Sequence, residues 1–188
     1  MNITRKWKRF MAVGCTHGHL VDQSLLKQVL AFKQRWKPHT CIALGDHIDL
    51  ACLRAGAMGT ADDAADPEGD LNDGLNFISR FEPSVYLLGN HENRLFTLME
   101  SPRAIVSALA CRIYAQITDR AKEIRCEVVP YSFQNGWRQY GDCLFGHGYM
   151  INEQAVRDHA EAVCHGSAQK VVIAHLHRVT QAEGRNRA

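Results

Sequence analysis

Ten histidines occur in the 188 residues, and seven of them (His17, His19, His47, His91, His147, His175 and His177) stand at or beside the ends of short apolar runs. Each run leads into a polar cluster of metal-binding residue types: Cys15-Thr16-His17-Gly18, Gly45-Asp46-His47-Ile48-Asp49, Gly89-Asn90-His91-Glu92, Gly146-His147-Gly148 and Ala174-His175-Leu176-His177. One such dipeptide arises often by chance. Five clusters, each at the same place relative to an apolar run, point to one shared site. Imidazole, carboxylate and thiolate donors suit borderline divalent cations better than magnesium. Two such cations about 3.5 to 4 Å apart need a bridging ligand, and the two oxygens of a carboxylate make Asp46 the natural bridge.

Such convergence requires strands ending side by side. Phe10 to Val13, Cys41 to Leu44, Val85 to Leu88, Cys143 to Phe145 and Val171 to Ala174 are short, continuous and apolar, as in strands covered on both faces. Helical cover comes from Leu25, Leu26, Val29, Leu30, Phe32 and Trp36, stopped by Pro38, and from the stripes Ile105 to Ile117 and Ala155 to Val163. The expected class is α/β, or a layered α/β/β/α relative. In such sheets ligands gather beyond the carboxyl ends of the strands, and glycines there leave room for sharp turns. Residues 54–74, rich in Gly, Ala and Asp, read as an irregular excursion and a candidate lid before a helix around Leu75 to Phe81. With no internal repeat or linker, one domain over 1–188 is expected. Its polar end from Gln181 is expected either to fray or to reflect a cut chain.

Composition narrows the class. The chain is 46% hydrophobic and 22% charged, the balance of a globular domain that can bury a full core without metal or disulfide staples. A formal net charge of +2 argues against wholesale capture of nucleic acid or anionic lipid. No apolar run reaches the roughly 18 residues of a membrane span and no signal-peptide core follows Met1, so no membrane association and a cytoplasmic location are expected. The seven scattered cysteines fit neither a disulfide framework nor a zinc ribbon, and most read as small buried hydrophobes.

The ordered clusters resemble the calcineurin-like metallophosphoesterase superfamily, whose pattern is Asp-x-His, Gly-Asp-x-x-Asp, Gly-Asn-His-Asp/Glu, Gly-His and Gly-His-x-His. The match runs from Cys15 to His177, nearly the whole chain. Two residues depart from it. Ala174 replaces a glycine, and Cys15 stands where most relatives carry a metal-binding aspartate, a substitution that is similar to the RNA lariat debranching branch. The resemblance implies that Cys15, His17 and His177 join Asp46 around one cation, and that Asn90, His147 and His175 complete the other. It implies that His91 is no ligand but contacts phosphate and protonates the leaving oxygen, as an imidazole titrating near neutrality can. Asp49 and Glu92 are expected to orient ligand or catalytic histidines. Arg94 is expected either to hold phosphate or to form an ordinary ion pair, and His19 and His47 to face solvent or substrate.

The implied activity is hydrolysis of a phosphodiester or phosphomonoester by a hydroxide held between two divalent ions, Mn, Fe or Zn rather than Mg alone. A nucleotide or nucleic acid is one substrate class, and diesters are expected to be preferred on the Cys15 likeness and on Trp137, Arg138 and Tyr140 as a base-stacking segment. The rival is a degenerate member of the fold serving as a non-catalytic binding scaffold. Oligomeric state is left open by the sequence. A thiol oxidoreductase built on Cys15 lacks the second cysteine that Cys-x-x-Cys chemistry requires.

Overall fold

The computed structural model describes residues 8–166 and 169–183. The expectations for the extreme amino-terminal residues and for the tail from Gly184 lie outside them. The chain folds as an α/β protein with two sheets. The first sheet is wholly parallel, in the order β1 (Phe10–Val13), β2 (Thr40–Ala43), β3 (Val85–Leu87), β4 (Glu127–Val129). The second places β6 (Cys143–Gly146) between antiparallel β5 (Arg138–Tyr140) and parallel β7 (Lys170–Ile173).

Parallel neighbours need a crossover, and helices supply each one. These are α1 (Gln23–Trp36) between β1 and β2, α2 (Pro67–Phe81) between β2 and β3, and α3 (Asn90–Met99) with α4 (Ala104–Glu123) between β3 and β4; α5 (Ala155–Val163) joins β6 to β7. The period of two along a strand sorts the core. Cys41, Ala43 and Tyr86 face the helices and cluster with Leu30, Leu71, Ile78, Leu95 and Ile113. Ile42, Val85, Leu87 and Val129 face the other way and cluster with Phe145 and Val172 of the second sheet.

The five apolar runs all form strands. Two strands were not legible: Glu127–Val129 and Arg138–Tyr140 are three residues each and carry charged or polar side chains. The expected excursion over 54–74 is corrected in its second half. Asp66 caps α2 by accepting from the Glu68 N–H, Pro67 occupies the first turn, and the helix buries Asp70 and Leu71 long before Leu75. Before it come two single 3₁₀ turns, Ala51–Leu53 and Ala61–Ala64. All seven cysteines are free thiols, and no described helix is long and apolar enough to cross a membrane.

Candidate metal centre

Each cluster begins at, or within two residues of, the end of β1, β2, β3, β6 or β7. The first two loops are laced together by main-chain hydrogen bonds in which Cys15 N donates to Gly45 O (2.9 Å), His17 N to Asp46 O (3.0 Å) and Gly18 N to His47 O (2.9 Å). Five expected ligands, Cys15, His17, Asp46, His175 and His177, adopt left-handed backbone with φ between 49° and 63°. A non-glycine residue in that region costs on the order of 1 kcal/mol, and such strain gathers where function holds it. Gly45 turns at φ +88°, and a Cβ there would lie 2.7 Å from His147 Nδ1. Gly14 packs so closely on Ala174 that a Cβ would lie 2.5 Å from the alanine's own, so the small residue missing from the last motif is supplied from across the gap.

The loop after β2 is buried yet makes no ladder, so its N–H groups need other acceptors. Two helix-borne carboxylates provide them. Glu92, fully buried on α3, accepts from the N–H groups of Asp46, His47 and Ile48, and also from Gly89 N and Tyr86 OH. Asp70 on α2 accepts from Asp49 N and Leu50 N at 2.9 and 2.7 Å. Five consecutive N–H groups, 46 to 50, are thus held by two side chains. This corrects the role expected of Glu92, which holds main chain rather than a histidine.

Hydrogen-bond polarity fixes the tautomers. His147 Nδ1 lies 2.6 Å from Leu44 O, a carbonyl that can only accept, so Nδ1 carries the proton. The lone pair of Nε2 then faces Asp46 Oδ2 and Asn90 Oδ1, each at 3.1 Å. Three acceptors meet at one buried point, an arrangement that only a proton or a cation reconciles. In the metal-free protein burial opposes protonation of His147, but contact with Asp46 outweighs it and raises the pKa. Burial likewise works against ionised Asp46, yet His147 and His91 lower its pKa to about 2.

The other half is built the same way. His17 Nδ1 donates to Asp49 Oδ1 at 2.9 Å, leaving the lone pair of Nε2 facing His177 Nε2 at 3.1 Å. A carboxylate behind an imidazole is the usual partner of a metal-binding histidine. Desolvation, with neighbouring histidines, lowers the pKa values of His175 and His177, which favours the neutral rings.

Cys15 belongs to both halves. Its sulfur and the ligand atoms of His17 and His177 lie within 4.8 Å of one another, and so do its sulfur and those of Asp46 and His147. His175 enters no such group among the described residues; its ring lies 5.1 Å from that of His147, and its N–H donates to Cys15 Sγ at 3.2 Å. The buried cluster of histidine, aspartate and cysteine side chains can hold a metal ion. No family model, curated protein or solved structure matches the chain.

Around the cluster, one expectation holds and others change. Asp49 does meet His91, whose Nδ1 lies 3.0 Å from Oδ1 and 2.9 Å from Asp49 O. Arg94 enters no ion pair among the described residues; its Nη1 donates to the carbonyls of Asp49 and Leu50 and braces that loop. His47 faces neither solvent nor substrate but is fully buried, its ring stacked 4.7 Å from Phe77 and its Nδ1 2.9 Å from Thr16 Oγ1. Trp137 and Arg138 are committed elsewhere. The indole donates to Phe133 O and lies 5.6 Å from the Tyr149 ring, while the guanidinium pairs with Glu127. Tyr140, the third residue of that segment, is exposed. Asp70, Thr16 and Tyr86 had no sequence signal, since their roles depend on neighbours far along the chain.

His47 gives a stability test. Burial, with His147 and His17 nearby and Asp46 opposing, lowers its pKa to about 3. The unfolded chain, titrating near 6.5, binds the extra proton between those values, so the contribution is complete above pH 6.5 and is lost as pH falls toward 3. Between pH 7 and 5 the wild type is expected to lose about 2 kcal/mol more unfolding free energy than His47→Gln, which keeps a hydrogen-bonding group but does not titrate. Parallel urea-denaturation profiles for the two proteins would contradict this.

Proposed function

We propose that the chain is a metal-dependent phosphoesterase of the calcineurin-like type, with helices, two facing sheets and a further helix as an α/β/β/α sandwich. The observation that carries this reading is the meeting of the His147 lone pair, the Asp46 carboxylate and the Asn90 amide oxygen at one buried point, beside a second cluster that shares Cys15. Cys15, His17, His177 and Asp46 would hold one cation; Asn90, His147, His175 and Asp46 the other. Bound there, two divalent ions supply a water of lowered pKa and offset the charge of a phosphate ester.

The protein's own groups do the rest. His91 is fixed by Asp49 through Nδ1, which turns Nε2 toward Asp46 Oδ2 at 3.9 Å. Burial disfavours the imidazolium, but the Asp49 hydrogen bond and the Asp46 charge prevail and raise the pKa, which favours the form with a proton on Nε2. It can give that proton to the departing oxygen. Hydrolysis of bis(p-nitrophenyl) phosphate that is abolished by chelator, and restored by Mn, Fe or Zn better than by Mg, is the expected result. Full activity in metal-free protein would rule out the reading, and metal binding with no ester hydrolysed across a substrate panel would favour the scaffold.

Cys15 provides a second check. Burial pushes its thiol up to about 12, His175 N–H notwithstanding, so it must lose a proton when it ligates. Zinc affinity of the wild type should therefore rise with pH about tenfold per unit more steeply than that of Cys15→Asp, whose carboxylate is already ionised. Cys15→Asp should also shift preference toward Mn, and Cys15→Ser should weaken occupancy. Equal pH slopes in zinc titrations of wild type and Cys15→Asp would return Cys15 to an inert buried thiol.

A further inference from the structure

Beside the cluster lies a cavity of about 550 Å³, within the size range of small-molecule sites. Cys15, His17, His91 and His177 are among the residues that line it. Its walls are aliphatic: Leu20 and Val21 from the turn after β1, and Leu25, Leu26 and Val29 from the first two turns of α1. No lysine or arginine lines it among the described residues, and its charged lining residues other than histidine are Asp22 and Asp49. Asp22 is held at the helix start, where its carboxylate accepts from Ser24 N and Leu25 N. Leu20 and Leu25 are 62% and 58% exposed, so part of the apolar lining is open to solvent.

These features bear on the substrate. A polyanionic chain passing this wall would meet carboxylates and no lysine or arginine, whereas a hydrocarbon or aromatic body would bury against leucine and valine. His91, placed as donor to the departing oxygen, opens on the same cavity. We infer that this pocket receives the leaving group, and that the preferred substrates are phosphate esters of uncharged, apolar alcohols rather than nucleotides. The inference rests on the phosphoesterase reading and adds to it the identity of the alcohol. Hydrolysis breaks the bond from phosphorus to the ester oxygen; water supplies the hydroxyl to phosphorus, the alcohol leaves with the proton from His91, and the water's other proton, released to solvent, is replaced on His91 from solvent.

The experiment uses methyl alkyl phosphodiesters with ethyl, butyl, hexyl and octyl groups, whose alcohols have similar basicity, alongside a dinucleotide. The metal-loaded protein should show kcat/KM rising about 3-fold per methylene from ethyl to hexyl, as each methylene is buried. Leu25→Asp and Val29→Asp should each shrink the hexyl-to-ethyl ratio at least 5-fold. Metal-free protein gives an independent readout: 1-hexanol should shift the methyl resonances of Leu25, Leu26 and Val29 saturably, and ethanol should not. A flat chain-length profile, or faster turnover of the dinucleotide, with esters otherwise hydrolysed, overturns the pocket assignment and leaves the phosphoesterase reading intact. Saturable hexanol binding without hydrolysis of any ester overturns the phosphoesterase reading and with it the leaving-group role.

Discussion

Replacing His91 by alanine is expected to leave metal content near that of the wild type and to lower turnover by about 100-fold or more, the scale on which a general acid contributes. Asp46→Ala is expected to lose the metal itself. The division follows from what each side chain touches. Asp46 Oδ2 lies 3.1 Å from His147 Nε2, among the acceptors that a cation would gather, while its Oδ1 accepts from His91 N at 2.9 Å. The His91 ring spends Nδ1 on Asp49 and keeps Nε2 3.9 Å from the nearer Asp46 oxygen. His17, Asp49 and His91 also lie within 4.8 Å of one another, a spacing that a metal could use. Elemental analysis therefore decides the role. If His91→Ala sheds metal as fully as Asp46→Ala, His91 is a ligand and another group must protonate the leaving oxygen. If metal stays and turnover falls equally for a p-nitrophenyl and an alkyl ester, the donor role also fails, because nitrophenolate leaves without help and an alkoxide does not.

What the sequence made legible is whatever repeats locally. Runs such as Cys41 to Leu44 announce buried strands because both faces are covered, one by helices and one by the second sheet, and the glycines after them mark where the chain must turn. The convergence of five loops followed from those strand ends. What stayed hidden depends on long-range partners. Glu127–Val129 becomes a strand by pairing with β3 at the sheet edge, although Glu127 is exposed and bonded to Arg138. Asp70 reads as one more acid in a polar stretch until α2 carries it beneath Asp49 and Leu50. His47 looks like its neighbours in sequence; its burial against Phe77 and Tyr86 comes only from the packing of α2 on β3. Trp137 and Arg138 suggest a ligand surface in the sequence, and only the structure shows the indole donating to Phe133 O and the guanidinium paired with Glu127.

Glu92 is where the loss should be largest. Its two oxygens accept five hydrogen bonds, four from main-chain N–H groups and one from Tyr86 OH, and none of its surface is exposed. Glu92→Ala would leave those donors in a site from which water is excluded, and each unsatisfied buried group costs about 1 to 3 kcal/mol. Together they approach the whole stability of an ordinary domain, about 5 to 15 kcal/mol, so the alanine variant is expected not to fold. Glu92→Gln keeps the shape and tests the argument in a folded protein. Its amide oxygen can still accept, but its NH₂ group faces N–H donors, so a loss of about 2 to 4 kcal/mol in urea unfolding is expected. Zinc affinity should fall with it, because Asp46 is presented by the loop that Glu92 holds. Glu100→Ala, at the exposed end of α3, serves as the control and should stay within about 0.5 kcal/mol of the wild type. A Glu92→Gln variant as stable as the wild type and binding zinc equally well would mean that the loop holds its shape without the carboxylate. In that case the left-handed backbone at Asp46 would be sustained by the remaining bonds, among them those from Cys15 N and His17 N to the Gly45 and Asp46 carbonyls.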